Sequence, residues 1–203
     1  MSAPTVYLAA FGPRREQLLH QLGIRFQPLR LRGGDRADPD VSRENVASES
    51  AAEHANRVAL AKALGGVRRI ALRRLAPRPV LAADTVIEFD GFTLAAPLEE
   101  DEAAGLLGRL AGHSHRVLTA VVVADADRAE HLLSSTEVRL GTMSADEIRR
   151  YAASGEPLRS VCGYDLRGKG GRFVEAIVGS DSAVAGLPLF QTAMLLRRFG
   201  CAV

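Results

Sequence analysis

Two adjacent arginines stand where a short apolar strand gives way to a helix. The stretch VYLAAFGPRREQLL runs from Val6 to Leu19, and Arg14 and Arg15 follow the Pro13 that suits a first helical turn. Guanidinium groups hold phosphate oxygens in pairs and stay charged at any relevant pH. A helix N-terminus adds free backbone N–H groups and a positive dipole end. The stretch predicts an anion site, and a solvated arginine pair is the alternative.

An aspartate and a lysine supply the other groups that phosphate chemistry needs. Asp84 lies between two apolar runs in LAADTVIEFDG, where a carboxylate at the end of a strand can ligate Mg²⁺ or take a proton from water. Lys62 lies among apolar neighbours in the helical stretch RVALAKA, so we expect it to be partly buried beside an anion. The alternatives are an aspartate that caps a turn and a lysine whose stem extends to water.

A glycine-rich segment later in the chain carries three further cations. The stretch SGEPLRSVCGYDLRGKGG contains Arg159, Arg167 and Lys169 among glycines and other turn formers. Because glycine has no side chain, a backbone rich in it can approach a ligand closely. A ligand-binding loop and a plain connecting loop both fit this composition.

Composition is that of an ordinary globular protein. The chain has 203 residues, 47% hydrophobic and 25% charged, which is enough for one domain with a substantial core. No apolar run approaches the roughly 20 residues that span a bilayer, and the N-terminus lacks the features of a signal peptide. We therefore expect a cytoplasmic protein without a membrane partner.

The histidines and cysteines do not form a pattern typical of a metal site or a disulfide framework. His113 and His115 flank Ser114, and a metal pair there would lack a third ligand nearby. Cys162 and Cys201 show no ligand spacing, so they indicate neither a zinc site nor a disulfide framework.

The basic residues do not indicate a nucleic-acid partner. Formal net charge is +2, and lysine supplies two of the 26 basic residues, leaving 24 arginines, which we attribute to codon bias. The arginine-rich stretch VRRIALRRLAPRPV contains no aromatic residue on which a base would stack. We interpret it as a solvated helix face. The alternative, a DNA-binding module, predicts strongly salt-dependent affinity.

These residues are positioned by alternating strands and helices. Pro13 opens a first helix that Gly23 ends, and RGGDRADPDVSRENVASES is typical of a flexible loop. The first half of the chain further predicts strands over Val6–Ala10 and Phe26–Leu31, a helix SAAEHANRVALAKALGG that ends at Gly65–Gly66, and a hairpin RPVLAADTVIEFDGFTLAAP with its turn at Asp90–Gly91.

The second half continues the alternation and sets the fold class. Ser144 caps a helix over Asp146–Ala153, with Glu147 at the capping-box position. The other predicted elements are helices over Glu99–Leu110 and Leu189–Phe199 and strands HRVLTAVVVAD, LLSSTEVRLG and GRFVEAIVGS. Helices that alternate with strands and hairpins predict an α/β fold with a mixed sheet.

These pieces, in this order, resemble the Maf family of nucleoside triphosphate pyrophosphatases. The resemblance covers nearly the whole chain and includes LAAFGPRREQLL, RVALAKA, AADTV, LAGHSHRVLTAVVV, STEVRL, GYDLRG and GSDSAVAGLPL. The ADT form resembles the branch that acts on dTTP and UTP. The resemblance implies a Maf-like (ITPase-like) fold in one domain over residues 1–203, with a long bent mixed sheet flanked by helices and a cleft between two lobes.

It also implies an activity and a set of site residues. The family hydrolyses a nucleoside triphosphate between the α and β phosphates with a divalent cation such as Mg²⁺ or Mn²⁺, and it suggests a homodimer. By resemblance, Arg14, Arg15 and Lys62 bind the triphosphate, and Asp84 activates water or holds the metal. The remaining implied positions are Asp35, an acidic metal ligand, Thr85, linked to base selection, and Arg167, in place of a family glutamine.

The chain departs from the family pattern at several of these motifs. Two family serines are replaced by Ala10 and Gly12, which removes two hydroxyl donors to phosphate. AAP stands at 95–97 for Gly-Lys-Pro, and RSVC at 159–162 for Asp-Lys-Ala-Gly, so two lysines are absent. Arg167 has no acceptor with which to pair a base. It can instead bind phosphate or stack on a base, and Arg159 can reach the cleft from a new position.

Two hypotheses therefore compete. The first is a divergent, metal-dependent pyrophosphatase with altered substrate choice or feeble activity. The second is a nucleotide-binding or regulatory paralogue without useful catalysis. The joint retention of Arg14, Arg15, Lys62 and Asp84 favours the first.

Overall fold

The computed structural model describes residues 6–9, 12–30 and 49–203. The predicted metal ligand Asp35 lies outside them, as do the departure at Ala10 and most of the predicted flexible loop. The prediction of one two-lobed domain over 1–203 stays a prediction.

A seven-stranded mixed sheet runs through the molecule. Its central strands, β3 (Val80–Phe89) and β5 (Ser114–Ala124), are almost wholly buried and match the long apolar runs of the sequence. The first strand, β1 (Val6–Leu8), pairs in parallel with β2 (Phe26–Pro28) and with β3, and all other strand pairs among the described residues are antiparallel. The order is β2, β1, β3, β5, β6 (Ala129–Leu140) and β7 (Val174–Val178), and β4 (Phe92–Leu94) pairs with β3.

Helices cover both faces of this sheet, which confirms the predicted α/β class. The helices are α1 (Pro13–Gln21), α2 (Ala51–Leu72), α3 (Glu100–Leu110), α4 (Ala145–Ala152), α5 (Asp181–Val184) and α6 (Leu189–Arg198), with two 3₁₀ helices at Pro157–Arg159 and Lys169–Phe173. Alternate residues of β3 point to opposite layers: Ala82 and Val86 pack under α2, whereas Leu81 and Ala83 pack with α1 and α6. A third apolar cluster joins α3 and α4 to the far ends of β5 and β6.

Two predictions from local sequence were confirmed, the hairpin turn and the helix cap, because each depends on a backbone conformation that favours particular residue types. Asp90 and Gly91 both have positive φ, 53° and 78°, as a two-residue hairpin turn requires. Ser144 and Glu147 form the predicted capping box at the start of α4.

The predicted end of α2 was wrong, because the helix continues through Gly65–Gly66 to Leu72. Gly66 faces the start of β3, where an added Cβ would lie 2.7 Å from Val80 Cγ1. The glycine therefore permits close packing of helix on strand and does not stop the helix. The first part of the arginine-rich stretch is the last turns of α2.

None of the helices in the described ranges combines the length and the apolar composition that crossing a membrane requires.

Candidate active site

One edge of β3 is interrupted at its middle. The opposite edge pairs with β5 from Val80 to Glu88, so β1 and β4 must share this edge. Pairing with β1 involves Val80 and Leu81, and pairing with β4 begins at Ile87. Residues 82–86, which we call the β3 gap, thus have no partner strand on this edge within the described part of the chain. Asp84 and Thr85 lie in this gap, with their side chains on opposite faces of the sheet.

The α2 face of the β3 gap carries a lysine–aspartate ion pair. Lys62 Nζ donates to Asp84 Oδ1 at 2.7 Å and to the Ala83 carbonyl at 3.4 Å. The Asp84 side chain is fully buried and that of Lys62 is 14% exposed. The ammonium group of Lys62 therefore contacts Asp84 and does not extend into water. Removing either charge would leave the other charge without its partner in a poorly solvated site.

A second cation on this face was missed from the sequence. The Arg57 guanidinium is held by Glu49 through Nε–Oε1 and Nη2–Oε2 contacts of 2.6 and 2.8 Å. The hydrogen bond that Arg57 donates to Glu49 is the main cause that raises the pKa of Arg57, and the negative charge of Asp84 raises it further. Arg57 thus contributes positive potential near Asp84. The position of Arg57 in the sequence, five residues before Lys62, did not indicate that its charge lies near Asp84.

The other face of the β3 gap holds Arg15, which is 6% exposed. Its Nε donates to the Gly186 carbonyl at 2.8 Å, and its Nη2 makes a longer contact of 3.5 Å with Thr85 Oγ1. Thr85 Oγ1 lies 3.0 Å from Thr119 Oγ1, and Thr119 donates to the Ala183 carbonyl at 2.8 Å. Because each hydroxyl has one proton, Thr85 must donate to Thr119 and so presents a lone pair to Arg15.

Replacing Thr119 by valine tests this chain of hydroxyls. The substitution keeps the shape but removes the acceptor of the Thr85 hydroxyl and one of the donors to the Ala183 carbonyl, which still accepts from the Gly186 N–H at 2.9 Å. We therefore expect the free energy of unfolding to fall by about 1–3 kcal/mol. Thr192→Val is the matched control. Both threonines are 0% exposed, but Thr192 Oγ1 has no hydrogen-bond partner among the described residues. Urea denaturation in which both variants lose equal stability would contradict the assignment.

Three arginines line a small cavity beside this face. The cavity has a volume of about 60 Å³, and Arg14, Arg15, Arg159, Tyr164 and Asp165 are among its lining residues. Arg14 donates one hydrogen bond through Nη2 to Asp165 Oδ2 and another through Nη1 to Gln17 Oε1. We call this cavity the arginine pocket. Its lining carries three guanidiniums and one carboxylate, so it attracts an anion.

The glycine-rich segment is fixed against α4 by a half-buried carboxylate hub. Glu156 accepts hydrogen bonds from Tyr151 Oη at 2.7 Å, the Lys169 N–H at 3.0 Å and the Gly170 N–H at 2.9 Å. A Cβ on Gly170 would lie 2.3 Å from Tyr151 Oη and 2.9 Å from the Asp165 nitrogen. The glycine therefore permits close packing against Tyr151, whose hydroxyl also accepts from the Asp165 N–H at 3.0 Å.

A buried histidine contacts Tyr164, one of the residues that line the pocket. His115 Nε2 lies 2.7 Å from Tyr164 Oη, and burial lowers the pKa of His115 to about 4. Neutral imidazole is therefore the form that fits the folded protein near pH 7.

This histidine predicts a loss of stability in mild acid. Between pH 6.5 and 4 the unfolded chain protonates His115 while the folded protein does not, so the free energy of unfolding falls as the pH falls. From pH 7 to 4.5 we expect His115 to contribute a loss of about 2–3 kcal/mol. His115→Gln keeps a hydrogen-bonding group without this titration, so its stability should decline less over the same range. Parallel pH curves for the two proteins would show that His115 does not carry the effect.

The predicted residue Arg167 stands apart from these groups, and the structure also defines the surroundings of Cys162 in the glycine-rich segment. Arg167 is exposed and donates to Asp181 Oδ2 at 3.0 Å, and it is not among the residues that line the arginine pocket. Cys162 is buried in contact with the Val184 carbonyl, and burial raises its thiol pKa to about 12, so the thiol stays protonated.

The structure thus brings the predicted residues together in two adjacent groups. Lys62 meets Asp84 on one face of the β3 gap, and Arg15 meets Thr85 on the other, with Arg14 beside Arg15 in the arginine pocket. The two groups are joined by consecutive residues of one strand. Their roles toward a substrate stay predictions.

Asp84 can serve as one ligand of a divalent cation. The described residues hold no group of three or more histidine, cysteine, aspartate or glutamate side chains able to cage a metal. Mg²⁺ does not need such a cage, since it commonly binds one or two carboxylates together with substrate phosphates. The donor set therefore fits a metal that arrives with a phosphate ligand.

Comparison with known proteins places these residues in a family context. The family model described as Maf-like protein matches residues 5–199. A dTTP/UTP pyrophosphatase of Aromatoleum aromaticum is 42% identical over 96% of this chain and 95% of its own length. One of Salmonella typhimurium is 42% identical over 96% and 93%. The solved structure of the Staphylococcus aureus Ham1 protein aligns with 96% of this chain and 93% of its own at 12% identity, with a TM-score of 0.48.

Proposed function

The chain belongs to the Maf family, and from this premise we propose that it hydrolyses nucleoside triphosphates to nucleoside monophosphates and pyrophosphate. The names of its relatives support this, since each is a dTTP/UTP pyrophosphatase at about two-fifths identity over nearly the full length. The observation that carries the proposal is the arginine pocket beside the Lys62–Asp84 pair, because it places anion-binding groups next to a buried carboxylate.

The proposed chemistry is charge compensation plus activation of water. A triphosphate carries several negative charges, and attack by water requires that positioned cations offset them. Arg14 and Arg15 would bind phosphate oxygens from one side of the β3 gap, and Lys62 would offset charge from the other. Asp84 would accept a proton from the attacking water. The bond between the α and β phosphates then breaks, and its electron pair leaves with pyrophosphate.

A divalent cation fits this scheme through Asp84. Mg²⁺ or Mn²⁺, bound by Asp84 and phosphate oxygens, would neutralise charge and lower the pKa of its bound water. Asp35, outside the described residues, stays the predicted second acidic ligand.

We further propose dTTP and UTP as the nearest substrates, with altered specificity or reduced rate. Thr85 stays the predicted contact for base selection, although its hydroxyl is directed at Arg15 and Thr119. The replacement of two family lysines by Ala96 and Ser160 supports the reduced rate. Each lost charged contact to a transition state costs about 2–4 kcal/mol, or roughly 10²–10³ in rate.

Pyrophosphate release from a panel of nucleotides tests the activity. The panel contains dTTP, UTP, the other common nucleoside triphosphates and methylated guanine nucleotides, each assayed with Mg²⁺, with Mn²⁺ and with a chelator. We expect metal-dependent release that is fastest with a pyrimidine triphosphate. Release no faster than that of an Asp84→Ala variant on every nucleotide would contradict the proposal.

The second candidate is a nucleotide-binding paralogue without useful turnover. The two missing lysines favour it, because they remove cations while the arginine pocket still offers an anion site. It predicts that nucleotides raise the melting temperature without being hydrolysed. Unchanged melting with every nucleotide would exclude this candidate.

The homodimer, which rests on the family resemblance, and the cytoplasmic location, which rests on the sequence features described above, stay proposals. Light scattering coupled to gel filtration tests the first, and a single-chain mass would contradict it.

A further inference from the structure

Arg159 stands at the mouth of the arginine pocket on a short, anchored element. It ends the 3₁₀ helix Pro157–Arg159, whose first residue is buried and whose preceding residue is the Glu156 hub. Its side chain is exposed and lines the pocket together with Arg14 and Arg15. The backbone that carries Arg159 is therefore fixed, while its guanidinium can reach both the pocket and solvent.

The other two guanidiniums of the pocket are already engaged. Arg14 is ion-paired with Asp165, and Arg15 is buried on the Gly186 carbonyl and Thr85. The Arg159 guanidinium makes no hydrogen bond or ion pair with any part of the chain that the structure describes. Several exposed arginines elsewhere do have an acidic partner: Arg116 with Glu88, Arg139 with Glu175, Arg149 with Asp146 and Arg167 with Asp181.

We propose that Arg159 is a substrate-binding residue that contacts phosphoryl oxygens of the triphosphate. The inference rests on the proposed function for the identity of the substrate. Its physical basis is the pocket itself: an anion that enters must compete with Asp165 for Arg14, but finds the charge of Arg159 uncompensated. A guanidinium also matches two phosphoryl oxygens at once, which suits it to replace a missing lysine.

Binding of inorganic triphosphate to the whole protein tests this without requiring turnover. In calorimetry, we expect Arg159→Ala to weaken binding roughly 10- to 100-fold, as for a lost charged hydrogen bond. Arg159→Lys should recover part of the affinity, because it restores a point charge without the two-pronged geometry. The matched control is Arg109→Ala: Arg109 is an exposed arginine in the last turn of α3, with no ion pair in the described ranges.

The same variants separate this inference from the proposed function. If nucleotides are hydrolysed, Arg159→Ala should raise KM more than it lowers kcat, with an unchanged melting temperature of the ligand-free protein. Triphosphate affinity equal to that of wild type, or wild-type protein that binds no triphosphate, would overturn the role of Arg159. Wild-type protein that binds triphosphate through Arg159 but releases no pyrophosphate would overturn the proposed function and leave the role of Arg159 standing.

Discussion

Asp84→Asn is expected to lower kcat for pyrophosphate release by roughly 10²–10⁴-fold, the usual contribution of a positioned general base. Asparagine has nearly the same shape, so it can occupy the buried site beside Lys62. It cannot accept the proton of the attacking water, and it is a far weaker ligand for a divalent cation. The loss should therefore appear in kcat and persist at saturating nucleotide. Steady-state assays of pyrophosphate release with the best nucleotide of the panel measure it.

Asp146→Asn is the control for this experiment. Asp146 is exposed on α4 and ion-paired with Arg149, so its neutralisation should leave kcat within about twofold, as for a surface ion pair. If Asp84→Asn kept more than a tenth of the wild-type kcat, Asp84 would be neither the base nor an essential metal ligand.

Lys62→Met is expected to lower the free energy of unfolding by about 3–5 kcal/mol, the typical cost of removing one partner from a buried ion pair. Methionine fills the space of the lysine stem but removes the ammonium that lies 2.7 Å from Asp84 Oδ1. Asp84, with its side chain fully buried, would then keep its charge without this cation or take up a proton. Urea denaturation at pH 7 measures the change.

The double variant Lys62→Met with Asp84→Asn separates stability from catalysis. With neither charge present, much of the lost stability should return, because the buried charge that caused the loss is gone. Activity should not return, since both functional groups are absent. A double variant as unstable as Lys62→Met alone would show that the ion pair does not explain the instability.

The arginine pocket and the Lys62–Asp84 pair lie on opposite faces of one strand, and this bears on how a substrate is held. Among the described residues, β1 and β4 leave residues 82–86 without a partner strand at this edge, and both charged groups border this stretch. The proposed binding of the triphosphate uses cations from both faces of the β3 gap.

The elements that have a local cause could be predicted from the sequence. A positive φ at two successive residues favours a pair such as Asp90–Gly91, and a capping box needs a serine and a glutamate three residues apart. The strands β3 and β5 could be predicted from the apolar composition of their own residues. The local reading was wrong at Gly66, where contact with Val80 from another element decides the length of α2.

Which charged side chains meet depends on how the elements pack in the folded protein. Lys62 and its partner are 22 residues apart, Arg14 and Asp165 are 151 apart, and Arg15 reaches a carbonyl 171 residues away. The sequence singled out Arg14, Arg15, Lys62 and Asp84 by type and motif, but it gave no sign of Thr119 as the link behind Thr85 or of the Glu156 hub. The physical reason is that helix and turn signals act over a few residues, whereas an ion pair in a folded protein depends on strand order and layer packing, which a one-dimensional pattern does not contain.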